Sequence, residues 1–135
     1  MTIQLPFSIE YRYSDREDGI TIPVSLTSGE HEVVADAKVD CGSAVCLFSR
    51  EAGISLGFDV ESGLYKPLGS LTGRLDAFGH EVTLTTLGIS IRCFVYFARD
   101  PGLQRNLLGR QGWIRVLRFG LVDYESKLYL DRFGS

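Results

Sequence analysis

The chain has 135 residues, 44% hydrophobic and 23% charged, with a mean hydropathy of +0.06 and a formal net charge of −3. That length supports one hydrophobic core rather than two, and 8 Phe and 6 Tyr supply too much apolar surface for a largely disordered chain. The longest apolar run, residues 87–98, is broken by Arg92 and falls short of the roughly 18 to 20 residues of a bilayer-spanning helix, so no membrane partner is expected.

Residues 1–19 mix apolar and charged side chains and are set apart as an N-terminal segment, with 20–135 as one domain. The segment reads as an interface strand, an inhibitory piece that must be removed, or a loosely ordered arm. It lacks a cationic-then-apolar leader, since Pro6 and Glu10 arrive too early, and the expected compartment is the cytoplasm. Residues 20–26 alternate apolar and polar and end at Ser28-Gly29, after which Val33, Ala35, Ala37 and Val39 resume period-two alternation; the pair predicts a hairpin. Ser49 is placed to cap a short helix with Glu51 in its first turn, and Gly57 is placed to stop it.

From Tyr65 the pattern returns to sheet. Residues 68–75 read as two strand arms around a tip of small residues, and residues 81–87 and 89–97 as strands joined at Gly88. His80 and Glu81 are expected to face solvent, with substrate contact as the functional alternative. Asp100-Pro101-Gly102 is a turn signal. Residues 106–116 predict one short helix starting near Gly109, with Trp113 in the core, and residues 118–123 and 127–131 predict a closing hairpin. The sum is an all-β (mainly β) chain, a small closed β-barrel with one or two short helices.

Cys41, Cys46 and Cys93 are odd in number and lack C-x-x-C spacing, and His31 lies far from His80 in sequence; buried free thiols are expected, with no metal and no cofactor. Charge is uneven: residues 1–62 carry net −7 and residues 63–135 net +4. Between Arg92 and Arg118 stand six arginines against the single acid Asp100. A nucleic-acid surface would use such a stretch, but the pI near 5.3 favours pairing of the arginines with the acidic half, and no nucleic acid is expected.

Two segments carry chemistry. In Val39-Asp40-Cys41-Gly42-Ser43-Ala44 an acid follows directly on an alternating strand, which places it at the rim of a sheet, and Gly42 lets the backbone turn sharply. Alone, this reads equally as a loop turn. The second segment, Asn106-Leu107-Leu108-Gly109-Arg110, runs an apolar pair into Gly-Arg. A Cys41 nucleophile with His31 or His80 as base is a further formal option, but no sequence feature brings either ring to the thiol.

In this order and spacing the chain resembles the retropepsin-like aspartic proteases, with an apolar strand ending in Asp-Thr/Ser-Gly-Ala/Ser, a glycine-bearing flap, and a later apolar-apolar-Gly-Arg. The resemblance covers about residues 20–131. It implies the acid-protease fold and a catalytic Asp40, supported by Cys41, Gly42 and Ser43, with substrate held by Ala44 and by a flap tip at Leu71, Thr72 and Gly73. Gly109 and Arg110 take structural roles by the same resemblance, Arg110 bracing the loop or a subunit interface through its guanidinium. One Asp supplies only half of the dyad that such proteases use, so the resemblance implies a homodimer acting on a peptide or protein substrate, with the 127–130 strand in the interface sheet. Cys41 stands where the family carries Thr or Ser and Gln111 where it carries Asn or Asp. The alternative left open by Cys41 is a non-catalytic domain of the same fold that binds peptides or proteins.

Overall fold

A computed structural model describes residues 1–70 and 73–132. Its strands are β1 (Ile9–Arg12), β2 (Thr21–Ser28), β3 (His31–Val39), β4 (Leu47–Phe48), β5 (Leu64–Ser70), β6 (Gly73–Thr86), β7 (Ile89–Ala98), β8 (Leu107–Leu108), β9 (Leu117–Val122) and β10 (Lys127–Arg132). One short helix, α1 (Arg50–Ser55), follows β4. The all-β class expected from the sequence holds.

The larger sheet runs β2-β3-β8-β4-β7-β6-β5, and β2 also pairs with β6 from Ser25↔Thr85 to Thr27↔Thr83. The ladder therefore returns on itself, with β5 appended outside the circuit. Alternation explains the closure: Ile22, Val24 and Leu26 on β2 and Val82, Leu84 and Thr86 on β6 point inward and are buried. Thr86 keeps its buried hydroxyl satisfied by donating to the Pro23 carbonyl at 2.7 Å.

A second, three-stranded sheet has the order β1-β10-β9. Leu128 and Leu130 of β10, with Tyr13 just after β1, join the same core as Phe48, Phe97 and Trp113. Trp113 is fully buried and meets the Phe119 ring edge-on at 6.3 Å, which ties the small sheet to the closed one. Residues 9–12, within the N-terminal segment, thus pair with the closing strand of their own chain.

The hairpin of β2 and β3, the turn at Asp100 and the hairpin of β9 and β10 form as expected. Ser49 caps α1 by accepting the Ala52 N–H at 3.3 Å, and the helix ends before Gly57. The two arms of residues 68–75 and the pair of strands joined at Gly88 also form, but the second arm and the strand before Gly88 are continuous: β6 is one strand of 14 residues, its first half in the β5 hairpin and its second half in the closed sheet. The helix expected from near Gly109 is also absent. Leu107 and Leu108 are drawn into the sheet between β3 and β4, Gln111 bridges Val45, and Gly112 adopts φ +97°. Only a single 3-10 turn, Ile114–Val116, remains.

His80 does not face open solvent. Its ring stacks on Phe58 at 4.3 Å, and Nε2 lies 2.9 Å from the Val60 carbonyl oxygen. Cys46 is buried and Cys93 half-buried, but Cys41 is exposed, because it sits on a loop beyond the end of β3. Of the clustered arginines, Arg92 pairs with Glu81, Arg99 with Asp76 and Arg118 with Asp131. These acids lie in residues 63–135 and not in the acidic half expected to supply them, because strand pairing brings near neighbours in sequence together. Among the described residues no helix is long and apolar enough to cross a membrane.

Candidate active site

Asp40 lies where β3 ends, and the strand beside it fixes the position. Lys38 and Val39 pair in parallel with Leu107 and Leu108 of β8, and the Asp40 N–H donates to the Leu108 carbonyl at 2.9 Å. The chain then turns. The Gly42 N–H donates to Asp40 Oδ1 at 2.9 Å, and the Ser43 N–H donates to the Asp40 carbonyl at 3.1 Å. An aspartate that accepts from the N–H two residues on sets both the turn and its own carboxylate.

The loop is clamped from the far side of the sequence. The Arg110 N–H donates to the Ser43 carbonyl and the Gln111 N–H to the Ala44 carbonyl, each at 2.9 Å. The two backbones approach so closely that a Cβ at Gly109 would stand 2.1 Å from the Val45 carbonyl oxygen, which makes glycine obligatory there. Ser43 Oγ donates to the Val45 carbonyl at 2.7 Å, closing the loop internally.

Cys46, read from sequence only as a core residue, joins this clamp. Its Sγ accepts the Gly109 N–H at 3.4 Å and donates to the Gln111 carbonyl at 3.6 Å. Burial pushes the thiol up to about 11, so it stays protonated and keeps its donor. Asn106 is a second such residue. Its Oδ1 accepts the Ser49 N–H and its Nδ2 donates to the Asp36 carbonyl, each at 3.2 Å, and its own carbonyl accepts the Lys38 N–H. An Asn before an apolar pair is the only signal that sequence offers for this stitch.

Above the loop lies a cleft of about 700 Å³ between residues 40–47, the β5–β6 hairpin and the segment before β8. It brings together Asp40, Gly42, Ser43, Ala44 and Gly73 of the expected site. Leu71 and Thr72, the expected flap tip, lie outside the described residues. Cys41 and Arg110 are exposed and do not line the cleft. It is the Arg110 backbone N–H that braces the loop; among the described residues its guanidinium makes no ion pair or hydrogen bond. Sequence reasoning missed Asp100, Leu103 and Arg105 in the cleft wall, because only the folded chain brings them there.

The cleft wall is apolar at Val45, Leu47, Leu68, Leu75, Leu103 and Leu107, and charged at Asp40, Lys66, Arg74, Asp100 and Arg105. Arg74 is engaged by the Tyr65 hydroxyl and by Asp76 at 3.6 Å, and Asp100 accepts the Gly102 N–H at 2.8 Å. Asp40 Oδ1 is held by the loop, so Oδ2 is the oxygen available to a bound molecule. A carboxylate held at the rim of a sheet over a groove of this size is equipped to take or give a proton to something lying in it. Among the described residues no group of three or more His, Cys, Asp or Glu is placed to hold a metal ion.

No protein-family model matches the chain, and no curated protein matches it. Among solved structures it is similar to a retropepsin-like aspartic protease from Rickettsia conorii, with a TM-score of 0.64 at 16% identity, over 91% of this chain and 97% of that one. It is also similar to EIAV protease complexed with the inhibitor HBY-793, with a TM-score of 0.54 at 19% identity, over 72% of this chain and 86% of that one. The circuit of strands is thus the fold of the retropepsin-like aspartic proteases.

Proposed function

We propose that the chain is one half of an aspartic endopeptidase, completed when Asp40 meets Asp40 of a second copy across a two-fold axis. The observation that carries this reading is the fixed Asp40 carboxylate at the base of a peptide-sized cleft, in a fold shared with proteases of this kind. Two carboxyl groups held about 3 Å apart cannot both ionise, which is established behaviour for aspartic-protease dyads. The ionised member takes a proton from water as the other gives one to the scissile carbonyl oxygen, and the dyad titrates as a pair. Backbone groups of Gly42, Ser43 and Ala44 below, and the β5–β6 hairpin around Gly73 above, hold the substrate as an added strand, while Gly109 and Cys46 keep the loop in shape.

The second copy is supported by apolar surface left without cover. Val116, Leu121 and Val122 are exposed along β9 and its approach, and Tyr124 beside them is 97% exposed. β9 is the outer strand of its sheet, with β10 on one side only, whereas β10, the 127–130 strand expected to serve the interface, is paired on both edges by β1 and β9 and has no edge left for a partner strand. Exposed apolar residues on such an edge fit an interface between copies.

A second reading, a non-catalytic peptide-binding domain of the same fold, rests on Cys41. The residue is exposed, and among the described residues its thiol makes no hydrogen bond. A thiol there grips a partner loop more weakly than the Thr or Ser hydroxyl of the retropepsin-like pattern. One experiment separates the two readings: cleavage of a peptide library between acidic and neutral pH by the wild type, Asp40→Asn and Cys41→Thr. The protease reading expects pepstatin-sensitive cleavage, lowered about 10²- to 10⁴-fold in Asp40→Asn with unchanged circular dichroism, and raised in Cys41→Thr. Equal rates in wild type and Asp40→Asn overturn it; absence of cleavage in all three favours the binding domain.

A further inference from the structure

The cleft holds more positive charge than its own carboxylates engage. Lys66 on β5 and Arg105 just before β8 both line it, and neither makes an ion pair or hydrogen bond among the described residues. The third cation, Arg74, is engaged by Asp76 and the Tyr65 hydroxyl. Of the carboxylates in the wall, Asp40 and Asp100 each hold a backbone N–H of their own loop. Asp36 and Lys38 face the shallow hollow that adjoins the cleft at Arg105, and no ion pair links Asp36 to Arg105.

Both cations are presented by fixed backbone. Arg105 immediately precedes Asn106, whose side chain is tied to Ser49 and Asp36. Lys66 pairs with Ala77 in the β5–β6 register, and its half-buried side chain sits in the cleft wall near Leu68. A half-buried ammonium without a counter-ion loses hydration and gains no pairing in return, so a carboxylate arriving in the cleft regains the missing interaction. The adjacent leucines provide the apolar seat.

We propose that Arg105 and Lys66 select the occupant of the cleft: an extended peptide segment with an apolar anchor residue and acidic side chains beside it. The inference rests on the reading of the cleft as a peptide site, and it adds a substrate class which that reading leaves open. Arg105 is the stronger determinant, because its planar guanidinium can hold both oxygens of a carboxylate.

The test uses binding, so it does not depend on turnover. Three fluorescein-labelled decapeptide pools share a Phe-Leu centre and carry Glu, Gln or Lys at the flanking positions; each is titrated into the Asp40→Asn protein and followed by fluorescence anisotropy. The Glu pool is expected to bind about three- to tenfold more tightly than the Gln pool, with the Lys pool weakest and the difference shrinking at high salt. In Arg105→Gln the Glu-to-Gln ratio falls towards one, and in Arg105→Glu the order of the Glu and Lys pools inverts. Equal binding of the three pools, binding by none, or an acidic preference that survives unchanged in both Arg105→Glu and Lys66→Glu overturns the proposal. Wild-type cleavage of the same pools is scored separately. Acidic preference in binding without any cleavage refutes the endopeptidase reading and supports cation-selected binding, while cleavage indifferent to flanking charge refutes the selection alone.

Discussion

Gly109 has no side chain to contribute, yet the candidate site depends on it. The Val45 carbonyl carbon and oxygen occupy the space that a Cβ would take, and neither is the far end of a flexible side chain. Gly109→Ala must therefore separate the Asp40 loop from the segment after β8, and with it the hydrogen bonds from Arg110 and Gln111. The expected loss is about 3 kcal/mol of stability, read by urea denaturation, accompanied by loss of any cleavage assigned to Asp40. A variant as stable as the wild type would show that the loop tolerates the separation. Cys46 acts in the same place by a softer contact, with a thiol that donates and accepts across the clamp. Sequence cannot separate such a cysteine from an ordinary core residue, because burial alone gives the same apolar neighbours.

Elements in this chain are held by a few side-chain ties as well as by ladders. β1 is short, and its attachment is reinforced where Tyr13, just beyond it, donates its hydroxyl to Asp123 at the β9–β10 turn. Burial, and then the hydrogen bond and charge of Asp123, push the phenol up to about 12 from 10.0. The folded state therefore holds this proton more firmly than the unfolded one. Its stabilising contribution is complete below pH 10 and is lost as pH rises through about 12. Cys46 adds a similar fall between pH 9 and about 11. Urea midpoints taken in steps across this range should decline, and Tyr13→Phe should make the decline above pH 10 shallower, leaving the part due to the thiols of Cys46 and of Cys93, which burial pushes up to about 12. An identical slope in the variant would refute the assignment.

The elements that could be read in advance share one property: their signals are local. The alternation of β2 and β3, the Ser49 cap and the Asp100 turn need only nearby residues. The segment from Leu107 to Gly112 reads as a helix start because its extended course is imposed by β3, β4 and the Asp40 loop, none of which it adjoins in sequence. The cleft wall was illegible for the same reason: Asp100 and Arg105 acquire neighbours only after the sheet closes.

At the scale of the whole molecule, the apolar residues left exposed near β9 bear on assembly. If this strand forms the contact between copies, Leu121→Lys combined with Val122→Asp should weaken self-association by about tenfold or more, measured by sedimentation across a concentration series. Any Asp40-dependent cleavage per chain should then fall on dilution at correspondingly higher concentrations. Unaltered association of the double variant would place the contact elsewhere.

The threading of β8 between β3 and β4 also sets when a site can exist at all. The partners that shape the Asp40 loop come from residues 108–111, and the thiol contacts across the clamp span 63 and 65 positions of sequence. A chain emerging during synthesis carries Asp40 long before it carries the residues that orient its carboxylate. Until residue 111 has been added and folded back, Asp40 is an acid on an unclamped loop, so the geometry of the candidate site arises only late in synthesis.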